Sequence, residues 1–168
     1  MLIPPIIIGV VTVGGLIFMH FVPPPNIAAI CLKAHNVDTF NLYPHIQLFV
    51  NDKQYYLPDT VGKEPKDNKP CLRVIHTDSI GDTLHIEFVR PIKLSMNDFL
   101  KVYSFNNKTI DAIDNSTGHY ENKTFTLNNY KTEYSYYTDK GIFTKINNIT
   151  NIPPFSNSFL GRINLTSK

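Results

Sequence analysis

Six histidines occur in this chain, and several stand beside carboxylates at a spacing that suits metal binding. Imidazole and carboxylate are ligands for borderline transition metals. In a β-strand, residues i and i+2 project from the same face. The runs His76-Thr77-Asp78 and His85-Ile86-Glu87 would each present two donors together. If residues 71–77 and 83–89 pair as a hairpin, His76 and His85 approach each other across it. Their side chains converge only in one register, and the alternation of residues leaves the register open. With His45, at the head of an earlier strand, these form the candidate metal set His45, His76 and His85. The alternative is that all three are polar residues on strand faces with no metal bound. The sequence has no Gly-rich phosphate loop, H-E-x-x-H, C-x-x-C or Ser-His-Asp arrangement. No catalytic residues are assigned, and the expectation is a protein that is not an enzyme.

The elements that must carry these residues read mainly as strands. His45 to Val50 alternates, with Ile46, Leu48 and Val50 on one face. Asn51-Asp52-Lys53 turns the chain, and Gln54 to Leu57 returns as a hairpin partner. Residues 59–70 form a polar loop, followed by the strand pair around His76 and His85, in which Leu84, Ile86 and Phe88 face inward. Ser95 with Asp98 three residues on predicts a helix start, and Phe99, Leu100 and Tyr103 give that helix an apolar side. A sequon-bearing loop to His119 and strands around 124–127, 134–138 and 141–146 follow. From Asn151 the chain reads as an irregular tail whose Phe155, Phe159 and Leu160 would dock on a neighbour. The fold class is mainly β, a small β-rich α+β ectodomain with one short helix, plus a single N-terminal transmembrane helix.

That anchor is read from residues 1–22. Leu2 to Val22 is apolar apart from Thr12 and His20, and the first charged side chain is Lys33. A helix from Pro4 to Phe21 would rise about 27 Å, close to the roughly 30 Å of a hydrocarbon core. Pro23-Pro24-Pro25 ends it and opens a linker to residue 40. Residues 41–150 then form the extracytoplasmic domain and 151–168 the tail. Sequons set the orientation: Asn107, Asn115, Asn122, Asn148 and Asn164 each begin N-x-S/T, as N-glycosylation requires. Cys31 and Cys71 agree with an oxidising compartment. A bridge between them would contribute on the order of 4 kcal/mol in the chain-entropy model, two free thiols being the alternative. The expected location is the cell membrane, single-pass, with the C-terminal domain outside. A net charge of +2 without a basic stripe argues against nucleic acid as a partner. The expected partners are the lipid bilayer and integral-membrane protein subunits, met through the anchor helix and the tail.

His45-Ile-Gln-Leu-Phe-Val-Asn51, Cys71-Leu-Arg-Val-Ile-His-Thr-Asp78, His85-Ile-Glu87 and Leu94-Ser-Met-Asn-Asp-Phe-Leu100 carry a resemblance. Over residues 41–103 the chain resembles a family of membrane-anchored prokaryotic ectodomains frequent in ammonia-oxidising archaea. Its members read H-x-H-x-x-L, then C-L-x-x-x-H-T-H-D, then H-I-E. The resemblance implies a histidine metal site, with copper or zinc as cofactor. This chain departs from the pattern at Tyr43, where the first histidine would fall, and at Asp78, where the second histidine of H-T-H-D would fall. Of the family's ligands it keeps His45, His76 and His85.

Three functions follow as expectations. The first is a non-catalytic accessory subunit of a larger membrane complex. The archaeal resemblance makes the copper-dependent ammonia monooxygenase its candidate host. The second is a copper- or zinc-binding ectodomain, and the third is a glycosylated protein of the cell envelope.

Overall fold

The computed structural model describes residues 26–35, 39–65, 68–104, 108–137 and 141–168. The expected anchor at 1–22 and the sequon Asn107 lie outside the described residues. Among the described residues, no helix is long and apolar enough to cross a membrane. The described body is mainly β with one short helix, as the alternation of apolar residues requires.

Its largest layer is a five-stranded sheet in the order β3-β2-β10-β8-β9. These strands are Lys53–Tyr55, His45–Val50, Leu160–Ser167, Tyr130–Tyr137 and Phe143–Ile146. In β2 the alternation is realised: Ile46, Leu48 and Val50 are buried and the residues between them are half-buried. The β2–β3 turn uses Asn51 and Asp52 at φ 48° and 64°. Asn and Asp tolerate this left-handed region, which a two-residue hairpin turn demands. A second sheet, β1-β5-β4, contains Phe40–Leu42, His85–Phe88 and Ile75–His76. A separate antiparallel ribbon joins β6 (Thr109–Asp114) to β7 (Glu121–Thr126). The helix α1, Met96–Tyr103, begins where expected, with the Ser95 N–H donating to Asp98 Oδ2 at 3.0 Å. Its Phe99 and Met96 are fully buried.

Two sequence expectations are corrected. The segment 151–168 is not an irregular tail that docks elsewhere. Its β10 is the central strand of the large sheet, parallel to β2 and antiparallel to β8, and Phe155, Phe159, Ile163 and Leu165 are buried in the chain's own core. The physical reason lies at Gly161. A Cβ there would collide with Met96 Cε and fall 2.9 Å from Ile46 Cδ1 and Phe159 Cε1. Close approach of helix to sheet thus needs glycine at a position where strand patterns show a large apolar residue. Residues 109–114 are likewise not loop but strand β6, which pairs with β7 along its whole length. The lead-in to residue 40 also belongs to the folded body: Ala28 is fully buried, and the Leu32 N–H donates to Leu72 O at 2.7 Å.

Candidate metal centre

The β4–β5 ladder fixes the register that the sequence left open. Ile75 pairs with Ile86 and His76 with His85. Directly opposed residues share a face, so the two imidazoles meet with ring centroids 4.7 Å apart. Both are buried, at 0% and 1% exposure. Glu87, two residues after His85, lies on the same face of β5 and is also fully buried. Three polar residues are thereby held inside a small protein, and each needs a partner.

Two further residues close over that face. Asp78 follows β4, as the i+2 spacing from His76 anticipates, and its carboxylate reaches both rings. Oδ1 is 3.2 Å from His76 Nε2, and Oδ2 is 2.9 Å from His85 Nδ1. His35 arrives from the N-terminal segment, with its Nε2 3.5 Å from Asp78 Oδ1. One ligand atom from each of His35, His76, Asp78 and His85 lies within 4.8 Å of all the others. In a tetrahedral zinc site with bonds of about 2.0–2.1 Å, adjacent ligand atoms stand roughly 3.3 Å apart. The Asp78 contacts, two on Oδ1 and one on Oδ2, are of that order.

The remaining ring nitrogen of each histidine has an oxygen acceptor of its own. His76 Nδ1 donates to Arg73 O at 2.8 Å, His85 Nε2 to Asn41 Oδ1 at 2.8 Å, and His35 Nδ1 to Glu87 Oε2 at 3.0 Å. Such a bond orients a metal-binding imidazole and fixes its tautomer. A backbone carbonyl, a side-chain carbonyl and a carboxyl oxygen face these outer nitrogens, so each outer nitrogen is the one placed to carry a proton. The inner nitrogens then face Asp78. His76 Nε2 and His85 Nδ1 are indeed buried without a hydrogen-bond partner. Burial holds the His76 pKa down, to about 4, so that ring is neutral at physiological pH and an acceptor on its inner side. Its lone pair faces an Asp78 oxygen at 3.2 Å, a contact that a cation between them would relieve.

Tyr43 stacks on the His85 ring at 4.7 Å and an interplanar angle of 21°. It packs the ring from outside and supplies no imidazole.

The three histidines expected from sequence do not all meet. His76 and His85 do, whereas His45 is not among the clustered ligand atoms. Its ring is half-exposed, with Nδ1 3.2 Å from Asp82 Oδ1 and 3.2 Å from Thr83 Oγ1. His45 opens β2 in the large sheet and is bridged to Thr83, outside the β4–β5 ladder that carries His76 and His85. His35 takes the place expected of it. No strand pattern marks His35, and the one signal in the sequence is its position four residues after a cysteine. That cysteine is bonded: Cys31 and Cys71 form a disulfide across a separation of 40 residues.

The four described sequons fall in different elements. Asn115 follows β6, Asn122 is exposed in β7, and Asn148 accepts from the Thr150 N–H at 3.0 Å. Asn164 sits in mid-strand on β10, between Phe49 and Glu133. No family model, curated protein or solved structure matches this chain.

Proposed function

We propose that this chain is a metal-binding ectodomain that holds one zinc or copper(II) ion through His35, His76, Asp78 and His85. The observation that carries the reading is the set of buried inner nitrogens, aimed at one carboxylate and lacking hydrogen-bond partners. Three imidazoles and one carboxylate suit zinc and copper(II), whereas magnesium and calcium favour oxygen donors. Both cysteines are tied in a disulfide, so thiolate does not enter the donor set. Four protein donors around one point are the arrangement of a holding site rather than of a catalytic site with an open position.

The scaffold also bears on what the metal is for. The His35 segment is cross-linked at Cys31, and the chain re-enters a sheet at Phe40. A metal bound between those points closes little additional loop, so its binding free energy is not needed to fold the chain. The role that fits is reversible metal binding outside the membrane.

The test uses the oxidised full-length chain in detergent, stripped of metal and titrated with zinc or copper(II) by calorimetry. One ion per chain is expected, abolished by the His76→Ala/His85→Ala pair and retained by His45→Ala. Absence of stoichiometric binding, or loss with His45→Ala alone, would overturn the proposal.

A second reading is that the anchored chain serves as a non-catalytic accessory subunit of an integral-membrane complex. The apolar run from Leu2 to Val22 supports it, and the archaeal ammonia monooxygenase is its candidate host. Gentle extraction of native membranes followed by a native gel tests it. Co-migration with a fixed set of membrane proteins is expected, and migration alone would overturn this reading.

A further inference from the structure

The four ligands of the proposed centre reach it by two routes. His76, Asp78 and His85 belong to one hairpin, locked by the His76–His85 pair of the ladder. His35 comes from a distant part of the sequence, on a segment that crosses the hairpin. Three features hold the start of that segment against residues 71–73: the Cys31–Cys71 disulfide, the Leu32–Leu72 backbone hydrogen bond at 2.7 Å, and the Cys31–Arg73 bridge. Of these the disulfide alone is covalent. Among the described residues on the other side of His35, the Thr39 hydroxyl donates to Val89 O at 3.3 Å and β1 pairs with β5.

We infer that the Cys31–Cys71 disulfide sets the metal affinity by keeping His35 in the site, so that a dithiol reductant weakens metal binding. The inference rests on the metal-centre reading above. With the bridge intact, His35 is a short step from a fixed point on either side. With the bridge cut, the N-terminal side of the segment keeps only non-covalent restraints, the Leu32–Leu72 hydrogen bond and the Cys31–Arg73 bridge. It can then open locally, which lowers the effective concentration of the His35 imidazole at the metal. His76 and His85 keep the β4–β5 ladder that pairs them, which the sulfur atoms do not form.

Cys71, 4% exposed, borders a groove at the surface. A surface groove of about 350 Å³ is lined by Lys33, His35, Lys63 and Cys71. The two lysines favour the approach of a thiolate, which is the attacking species in disulfide exchange. In the reaction a dithiol supplies two electrons and two protons. The Sγ–Sγ bond breaks, two thiols form, and the dithiol leaves as its own disulfide.

The experiment titrates cobalt(II) into the full-length chain in detergent. Its visible absorption reports ligand number, and circular dichroism checks the fold. Four proteins are compared: the oxidised chain, the dithiol-reduced chain, and His35→Ala in both redox states. Reduction should lower the affinity at least about tenfold, a loss no smaller than that typical of an outer-shell residue. His35→Ala should cause a similar loss in the oxidised state, and reduction of His35→Ala should cause no more. A Cys31→Ser/Cys71→Ser chain should match the reduced protein; if it does not fold, the reduced wild-type chain carries the comparison. Equal affinity in both redox states would overturn the inference while leaving the metal centre standing. So would an equal further loss on reducing His35→Ala, or a thiolate-to-cobalt band showing the freed cysteines taking over as ligands. Failure of the oxidised chain to bind cobalt at all would overturn the metal-centre reading and the inference with it.

Discussion

Replacing Gly62 by alanine should both destabilise the fold and weaken metal binding, because one residue touches both. Gly62 adopts φ +74°, a region that costs an L-residue about 1–2 kcal/mol. An added Cβ would run into the Ile75 carbonyl oxygen and lie 2.9 Å from both Cα and Cβ of His76. Those atoms include backbone of β4, which is held by its pairing with β5 and by the bond from the Arg73 N–H to Gly62 O at 2.7 Å. Overpacking of this kind costs about 1–3 kcal/mol. Alanine recovers about 0.4–1 kcal/mol by restricting the unfolded chain. The net expectation is a loss of roughly 2–4 kcal/mol, a large part of the typical 5–15 kcal/mol stability of a domain. At a urea m-value of about 2 kcal/mol/M, the unfolding midpoint of the metal-free chain should fall by about 1–2 M. Gly118 provides the control. Its φ is +80°, but a Cβ there meets nothing within 4 Å, so Gly118→Ala bears the backbone strain without the overlap. Its loss should stay near about 1 kcal/mol. Displacement of His76 should also lower zinc affinity in Gly62→Ala and not in Gly118→Ala. If the two variants unfold at the same urea concentration, or if Gly62→Ala binds zinc as tightly as the parent, the argument from β4 packing is wrong.

Three further outcomes are expected. In the metal-free chain, the His76 pKa lies at about 4 in the fold against a reference of 6.5, because burial disfavours its charged form. The folded value is the lower one, so this contribution is fully present above about pH 6.5 and is lost as pH falls toward 4. It amounts to about 3 kcal/mol, and urea midpoints at pH 7 and pH 4 should narrow in His76→Gln; an unchanged difference would refute the assignment. Glu87→Gln keeps the side-chain volume but removes the charge that holds His35 Nδ1 at 3.0 Å. It should lower zinc affinity about 10–100-fold by calorimetry, and an unaltered affinity would show that Glu87 does not orient His35. Ile163→Ala should cost about 2–5 kcal/mol, because Ile163 is 2% exposed in the central strand. A loose C-terminal segment would show almost no change in the urea midpoint.

Local rules made the strand β2, the place of the turn after it and the capped start of α1 legible from sequence, although Lys53, read as part of the turn, opens β3. Alternation, left-handed turn residues and a Ser–Asp cap act over a few positions and need no distant partner. The i+2 spacing likewise singled out His76 with Asp78, and the two cysteines suggested the bridge that the structure contains. Tertiary structure decided the rest, and the residues show why. Register across β4–β5 depends on partners outside either strand, so only the fold could bring the His76 and His85 rings together. His35 reaches them because a disulfide and a backbone bond draw its segment across the hairpin, a placement that no spacing along the chain encodes. His45 drops out for the same reason: it belongs to β2 in a different sheet, beside Asp82 and Thr83. Strand β10 escaped notice because Gly161 interrupts its apolar alternation, and the need for that glycine arises where Met96 of the helix packs against the sheet. Periodicity records which face of an element is buried. It does not record what lies against that face, and the cluster of His35, His76, Asp78 and His85 is made of such contacts.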